Sequence, residues 1–187
     1  VTSGGRTVIN AREGVVGLGD ASVMGKYQVL TETSSLPALS LRAALKLPTG
    51  DESHLLGSGS PDYGFGLAME KHVAKDWMVY ANLNGVIPTG HIAGFGLQPV
   101  VSALVAVEYL WSENFSLVGH FDYFSSPLYG TGTHVLDNGV TEGVLGFNYR
   151  LRPRLLWQVY AVENLDFIVG SAADFTLSTV VTFQFGS

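Results

Sequence analysis

The chain has no cysteine among its 187 residues, which excludes a disulfide frame and a thiolate metal site. Charge is scarce: Asp, Glu, Lys and Arg together make 14%, against roughly 25% in soluble domains. The net charge of −6 argues against nucleic acid as the main partner, because a phosphate backbone calls for a basic footprint. No run of about 18 apolar residues exists to form a transmembrane helix. The longest uncharged stretch, Trp77 to Val107, is interrupted by Asn82, Asn84, Pro88, Gly90 and Pro99. Yet mean hydropathy is positive, and glycine (23 residues) and aromatics (11%) are plentiful. A hydrophobic chain that never offers a spanning helix is either a buried β core or a membrane barrel. The chain starts at Val1 with neither an initiator Met nor a signal peptide, so a leader has been processed away or the chain is a fragment.

The run Asp174 to Phe185 is the clearest structural signal. Phe175, Leu177, Thr179, Val181, Phe183 and Phe185 alternate with Thr176, Ser178, Val180, Thr182 and Gln184. A period of two means a strand. One face suits lipid and the other a wet interior, although a soluble sandwich or lipocalin-like strand reads similarly. The same alternation recurs from Ala21 to Val29, Leu39 to Leu47, Tyr63 to Met69, Trp77 to Leu83, Val101 to Tyr109, Phe115 to Tyr123, Leu145 to Leu151 and Leu155 to Ala161. That predicts about nine strands of roughly ten residues, the length of a tilted membrane strand. Short polar turns, at Glu32 to Ser35, Lys71 to Asp76, Ser112 to Asn114 and Arg152 to Arg154, alternate with long loops. The long loops are Pro48 to Asp62, Pro88 to Gln98, Ser126 to Gly139 and Glu163 to Ala173. Outer-membrane barrels sort their loops in this way, and soluble sandwiches have no reason to.

The expected fold is therefore all-β, an antiparallel up-and-down transmembrane β-barrel with about nine or ten strands in this chain. Residues 1–187 read as one barrel domain. Tracing the alternation back from a periplasmic C-terminus puts residues 1–14 at the extracellular end. Single-chain bacterial barrels have even strand numbers, so one or more N-terminal strands are expected to be missing from the chain and to complete a barrel of about twelve. Residues 5–13 would make a poor membrane strand.

Trp77, Trp111 and Trp157 sit beside the short turns. With Tyr109 and Tyr149 they are candidates for an aromatic girdle at one interface; ordinary core packing is the alternative, which their common position beside the short turns disfavours. The inward faces carry Lys26, Arg42, Glu70, Glu108, His120, Asp122 and Arg150. Mixed charges at similar height predict Arg–Glu pairs that fill the lumen, or the constriction of a pore. Ser125 differs in parity from His120 and Asp122, so a Ser-His-Asp hydrolase is not expected. His54, His91 and His134 lie in separate long loops, where scattered histidines are commoner than a metal site. Pro-Thr-Gly occurs at Pro48 to Gly50 and Pro88 to Gly90, read as a repeated strand-exit turn with Gly supplying positive φ. Neither catalysis, a metal nor a cofactor is expected.

The stretches K-L-P-T-G-D from Lys46, L-L-G-S-G-S-P-D-Y-G-F-G-L from Leu55, S-S-P-L-Y from Ser125, E-N-L from Glu163 and A-D-F from Ala173 carry a further signal. Together they resemble an uncharacterised family of Gram-negative outer-membrane proteins that is also likened to outer-membrane transporters. The resemblance spans roughly Gly17 to Phe185 and implies a barrel, an outer-membrane location, and lipid and lipopolysaccharide as surroundings. The expected function is a porin-like channel or transporter for small solutes. The alternative is a non-conducting structural or binding barrel, with protein partners in a larger envelope assembly.

Overall fold

A computed structural model of the protein describes residues 2–3, 6–7, 16–54, 56–92, 95–165 and 175–185. Nine strands dominate it: β1 (Ala21–Leu30), β2 (Ala38–Leu47), β3 (Asp62–Ala74), β4 (Trp77–Pro88), β5 (Val100–Ser112), β6 (Phe115–Phe124), β7 (Val140–Arg152), β8 (Leu155–Asn164) and β9 (Phe175–Phe183). Each pairs antiparallel with its neighbour in chain order, giving a single up-and-down sheet. The helical pieces among the described residues are one turn each, Glu52–His54 and His134–Asp137. Two separate two-residue ladders join Thr2–Ser3 to Arg6–Thr7 and His91–Ile92 to Phe95–Gly96. Most of residues 5–13 lies outside the described residues.

The loop alternation read from the sequence is present. Residues 75–76, 113–114 and 153–154 are two-residue turns, and 31–37 is somewhat longer. The opposite end carries the segments 48–61, 89–99 and 125–139, and the fourth long loop read from the sequence, Glu163 to Ala173, lies mostly outside the described residues. All four pairs joined at the short-turn end show a register shift there, at Gln28/Leu30, His72/Ala74, Phe115/Ser116 and Arg150/Arg152. A bulge beside a turn adds local twist to its strand pair.

Period two sorts the residues cleanly. One face collects Tyr27, Leu41, Leu67 and Leu83, which pair in one row across β1 to β4, together with Val105, Phe121, Leu145 and Val181. These side chains are exposed, Leu145 at 72% and Phe121 and Val181 at 64%. The opposite face carries rows such as Gln28, Ser40, Ala68, Asn82, Leu104, Asp122, Glu142 and Asn164. Every buried strand residue lies on this polar face, including Ser40, Ser116, Asn164, Ala68, Ala106, Val140 and Val144. The large apolar side chains are outside, and the shielded ones are small or polar.

The polar face is concave. A cavity of about 260 Å³ is lined by residues from β1 through β8, with Lys26 at one side and Tyr160 at the other. In a flat sheet β1 and β8 would stand roughly 34 Å apart, seven spacings of about 4.8 Å, so the sheet must curl strongly to bring them to one cavity. The curl does not close: β1 and β9 each pair on one side only. With nine alternating strands β1 and β9 run in the same direction, so direct closure would need a parallel pair.

The two Pro-Thr-Gly turns do the same job at the long-loop end. The Thr49 hydroxyl donates to Gly19 O (3.2 Å) and accepts from Ala21 N (2.8 Å), tying the exit of β2 to the start of β1. The Thr89 hydroxyl donates to Pro61 O (2.5 Å), tying the exit of β4 to the start of β3. The glycines are not needed for φ: among the described glycines, Gly59, Gly130 and Gly132 have positive φ, and Gly50 and Gly90 do not. Gly50 and Gly90 are needed for space, since a Cβ on Gly50 would lie 2.4 Å from Leu56 O and one on Gly90 3.0 Å from Ser60 Cβ. Gly50→Ala is therefore expected to lower stability by about 1–3 kcal/mol through overpacking. Gly25→Ala, whose Cβ would meet nothing within 4 Å, should be neutral or stabilising. Denaturation midpoints of the two variants, measured side by side, check the contrast.

At the other end Glu32 staples the 31–37 turn to β3. It accepts from His72 N (2.8 Å) and lies 2.8 Å from His72 Nδ1 and 3.3 Å from Lys71 Nζ. These bonds, His72's first, hold the Glu32 carboxyl down from its ordinary 4.5 to about 2. A depressed carboxylate stabilises the fold fully above its unfolded value, and that contribution fades as pH falls from about 4.5 through about 2. The difference in Tm between the wild type and Glu32→Gln should thus be constant above pH 5 and shrink on acidification. A difference that grows with acid would contradict this origin.

Candidate functional site

The 260 Å³ cavity on the concave face brings together Lys26, Arg42, Glu70 and Glu108, four of the seven residues read from the sequence as inward-facing. Alternation places all seven on that face, but they do not form one network. Glu108 sits in β5 with three neutral donors converging on it. Tyr80 Oη from β4 (2.5 Å), Ser116 Oγ from β6 and Asn148 Nδ2 from β7 (3.0 Å) all donate to its carboxylate. The network continues through Asn148 Oδ1 to Gln158 Nε2 (2.9 Å) and Tyr160 Oη (2.8 Å) on β8. Gly146 makes room for it, since a Cβ there would lie 2.3 Å from the Tyr160 ring.

The expected Arg–Glu contacts are absent among the described residues. Arg42 donates to Asn82 Oδ1 (3.1 Å) instead. The register explains this. The row of Arg42 runs through Gly66 and Asn84 to Ser102, and Glu108 lies six residues further along β5, roughly 20 Å at 3.3 Å per residue. Arg150 also departs from expectation: it lies at the short-turn margin, exposed, with Nη1 3.5 Å from Glu113 O. His120 and Asp122 do pair, Nε2 to Oδ2 at 3.0 Å, and the imidazole stacks near Tyr160. Ser125 is engaged elsewhere, its Oγ accepting from Val101 N (2.9 Å). Glu70 lines the cavity with no hydrogen bond or ion pair among the described residues.

The aromatic candidates do gather in a band on the apolar face near the short turns. Trp77 packs on Tyr109 (4.8 Å between centroids), Tyr109 on Trp111 (6.0 Å), and Trp157 on Phe147 (5.5 Å). Tyr149 pairs directly with Trp157 across the strands. Trp111 is 69% exposed, and Trp157 Nε1 finds Thr179 Oγ1 at 2.9 Å.

Sequence reading missed the cluster at the long-loop rim. Lys46, at the end of β2, bridges Asp62 Oδ2 (2.5 Å) and Asp20 Oδ2 (3.3 Å) and donates to Ser58 Oγ (2.5 Å). Asp20 also accepts from Gly50 N (2.9 Å) and Ser58 N (3.1 Å), and these backbone bonds hold its carboxyl below the usual range. The signal was there in K-L-P-T-G-D and G-S-G-S-P-D, which put Lys46 at the end of β2 and Asp62 at the start of β3. His54 is taken up locally, Nδ1 lying 2.7 Å from Asp51 Oδ2, and no group of His, Asp or Glu fit to hold a metal occurs among the described residues.

A curled up-and-down antiparallel sheet, apolar on its exposed face and polar on its concave one, defines the class: an all-β protein whose sheet shields polar groups rather than an oily core. The chain belongs to the family described as Protein of unknown function (DUF3187), which matches residues 1–185. No curated protein matches the chain.

Because Glu108 faces neutral donors and not an arginine, Glu108→Gln should cost only about 1–2 kcal/mol, the loss of charge assistance in its hydrogen bonds. A loss of 3–5 kcal/mol in urea titration would indicate an orphaned buried cation and contradict this geometry.

Proposed function

We propose that the protein is a β-barrel of the Gram-negative outer membrane that serves as a porin-like channel or transporter for small solutes. The observation that carries this reading is the inverted polarity of the sheet. Leu41, Leu67, Val105, Phe121 and Val181 are exposed together, far beyond the apolar patch a soluble monomer tolerates. Lipid is the solvent that suits such a face, and a hydrocarbon core accepts strands only when the ladder leaves no open edge. In this reading further strands join β1 and β9 and complete a barrel of about twelve, wide enough to hold a wet lumen. The band of Trp77, Tyr109, Trp111, Tyr149 and Trp157 sits at the periplasmic interface. The long loops then face outward, beside lipopolysaccharide.

A second reading, a non-conducting structural or binding barrel within an envelope assembly, is favoured by the network joining Tyr80, Glu108, Ser116, Asn148, Gln158 and Tyr160. Such a bonded cluster fills part of the concave face. Conductance of the protein in planar bilayers separates the two.

Lipid exposure itself is tested by neighbours of opposite parity. Val105→Arg should cost about 2–4 kcal/mol of folding free energy into lipid vesicles, the cost of a midplane arginine facing hydrocarbon. Leu104→Arg, whose side chain lines the concave cavity, should escape that cost. Equal effects of the two, or a chain that stays monomeric in water without detergent, would remove the membrane reading.

A further inference from the structure

Charge on the concave face is unevenly satisfied, and the imbalance has a place. Lys26 and Arg42 are direct partners across β1 and β2. Two like charges at facing positions repel, and here no carboxylate stands within ion-pair distance of either among the described residues. The acids that share their cavity are Glu108, already given three neutral donors, and Glu70. Glu70 pairs with Ala38, four residues along β2 from Arg42 and roughly 13 Å away.

Two further features fix Arg42 as the centre. A second concave cavity of about 310 Å³ lies on the long-loop side, and Arg42 is the one residue that lines both it and the 260 Å³ cavity. Arg42 therefore stands where the two cavities adjoin. The guanidinium is also oriented: Asn82 Oδ1 accepts from Nη2 at 3.1 Å, and no other hydrogen bond of Arg42 occurs among the described residues. Gly66, between Arg42 and Asn84 in the row, has no side chain to intervene. A Cβ there would lie 2.2 Å from Asn84 Oδ1, so the Asn84 amide leans over Gly66 towards β2. Arginine's planar fork suits a two-oxygen acceptor, and a lysine beside it adds a point charge.

We propose that Arg42 and Lys26, with Asn82 orienting the guanidinium, form a binding site for a small oxyanion, a carboxylate or phosphate, at the junction of the two concave cavities. The transported solutes are then anionic. That last step rests on the channel reading; the binding site does not.

The test uses the natural protein in detergent and in planar bilayers. At matched ionic strength, inorganic phosphate and acetate should raise Tm relative to chloride. Lys26→Gln should weaken that effect several-fold, Arg42→Gln should abolish it, and Arg42→Lys should retain part of it. In bilayers the wild type should prefer chloride over potassium, and Arg42→Gln should lose the preference while Glu70→Gln strengthens it. Conductance without anion preference and without a phosphate effect on Tm overturns the oxyanion site and leaves the channel reading standing. A phosphate effect that depends on Arg42, with no conductance, upholds the site and overturns the channel. If Arg42→Gln does not fold, a phosphate effect equally strong in Lys26→Gln and wild type overturns the site.

Discussion

Each interior strand of this sheet satisfies its backbone N–H and C=O groups on two neighbours, through one antiparallel ladder running from β1 to β9. The rest of the molecule depends on that continuity. Buried backbone groups must be paired, and a ladder that pairs them all leaves both faces free to be specialised by side chain alone. Here the specialisation runs opposite to that of a water-soluble sheet. Leucine and phenylalanine are outermost with most of the valines, while the shielded positions hold Ser40, Ser116, Asn164, alanines and two valines, Val140 and Val144.

The concave face shows how a charge is kept without a counter-charge. Three neutral donors from three different strands meet the Glu108 carboxylate. Hydrogen bonds to a charged group are worth about 1.5–3 kcal/mol each, so the network offsets desolvation without recruiting an arginine. One consequence is positional. With Glu108 satisfied locally, Arg42, where the two cavities meet, has the Asn82 amide and no carboxylate within ion-pair distance among the described residues.

The two ends of the sheet are built differently. At the short-turn end, two-residue turns and bulges coil the strands, and Glu32 pins the one longer turn to β3. At the long-loop end, side chains do the fastening: Thr49 and Thr89 tie strand exits to strand starts, and Lys46 draws Asp20, Asp62 and Ser58 together. Gln98 adds a third fastening, donating from Nε2 to Ser126 O and Leu128 O across two loops. These bonds tie the described parts of the three loops 48–61, 89–99 and 125–139 to each other or to the strand ends beneath them.

Strand number, strand direction and the sorting of the two faces were legible in the sequence, because a period of two is a local property that backbone geometry imposes on every strand. Trp77, Tyr109 and Trp157 could be placed near the short turns for the same reason: distance from a turn is counted along the chain. Partners could not. Whether Glu108 meets Arg42 or Tyr80 depends on the register between strands, and one sequence does not state register. Parity puts Arg150 on the polar face, yet only the bulge beside residues 153–154 and the carbonyl of Glu113 decide that it stays at the margin. The Pro-Thr-Gly pattern points to glycines at φ > 0; the structure has them making room for Leu56 and Ser60 instead, contacts from elsewhere in the chain. What alternation determines is which side of the sheet a residue occupies. Its neighbours on that side are set by register, curl and the loops that close over the rim, and these exist only once the whole sheet is assembled.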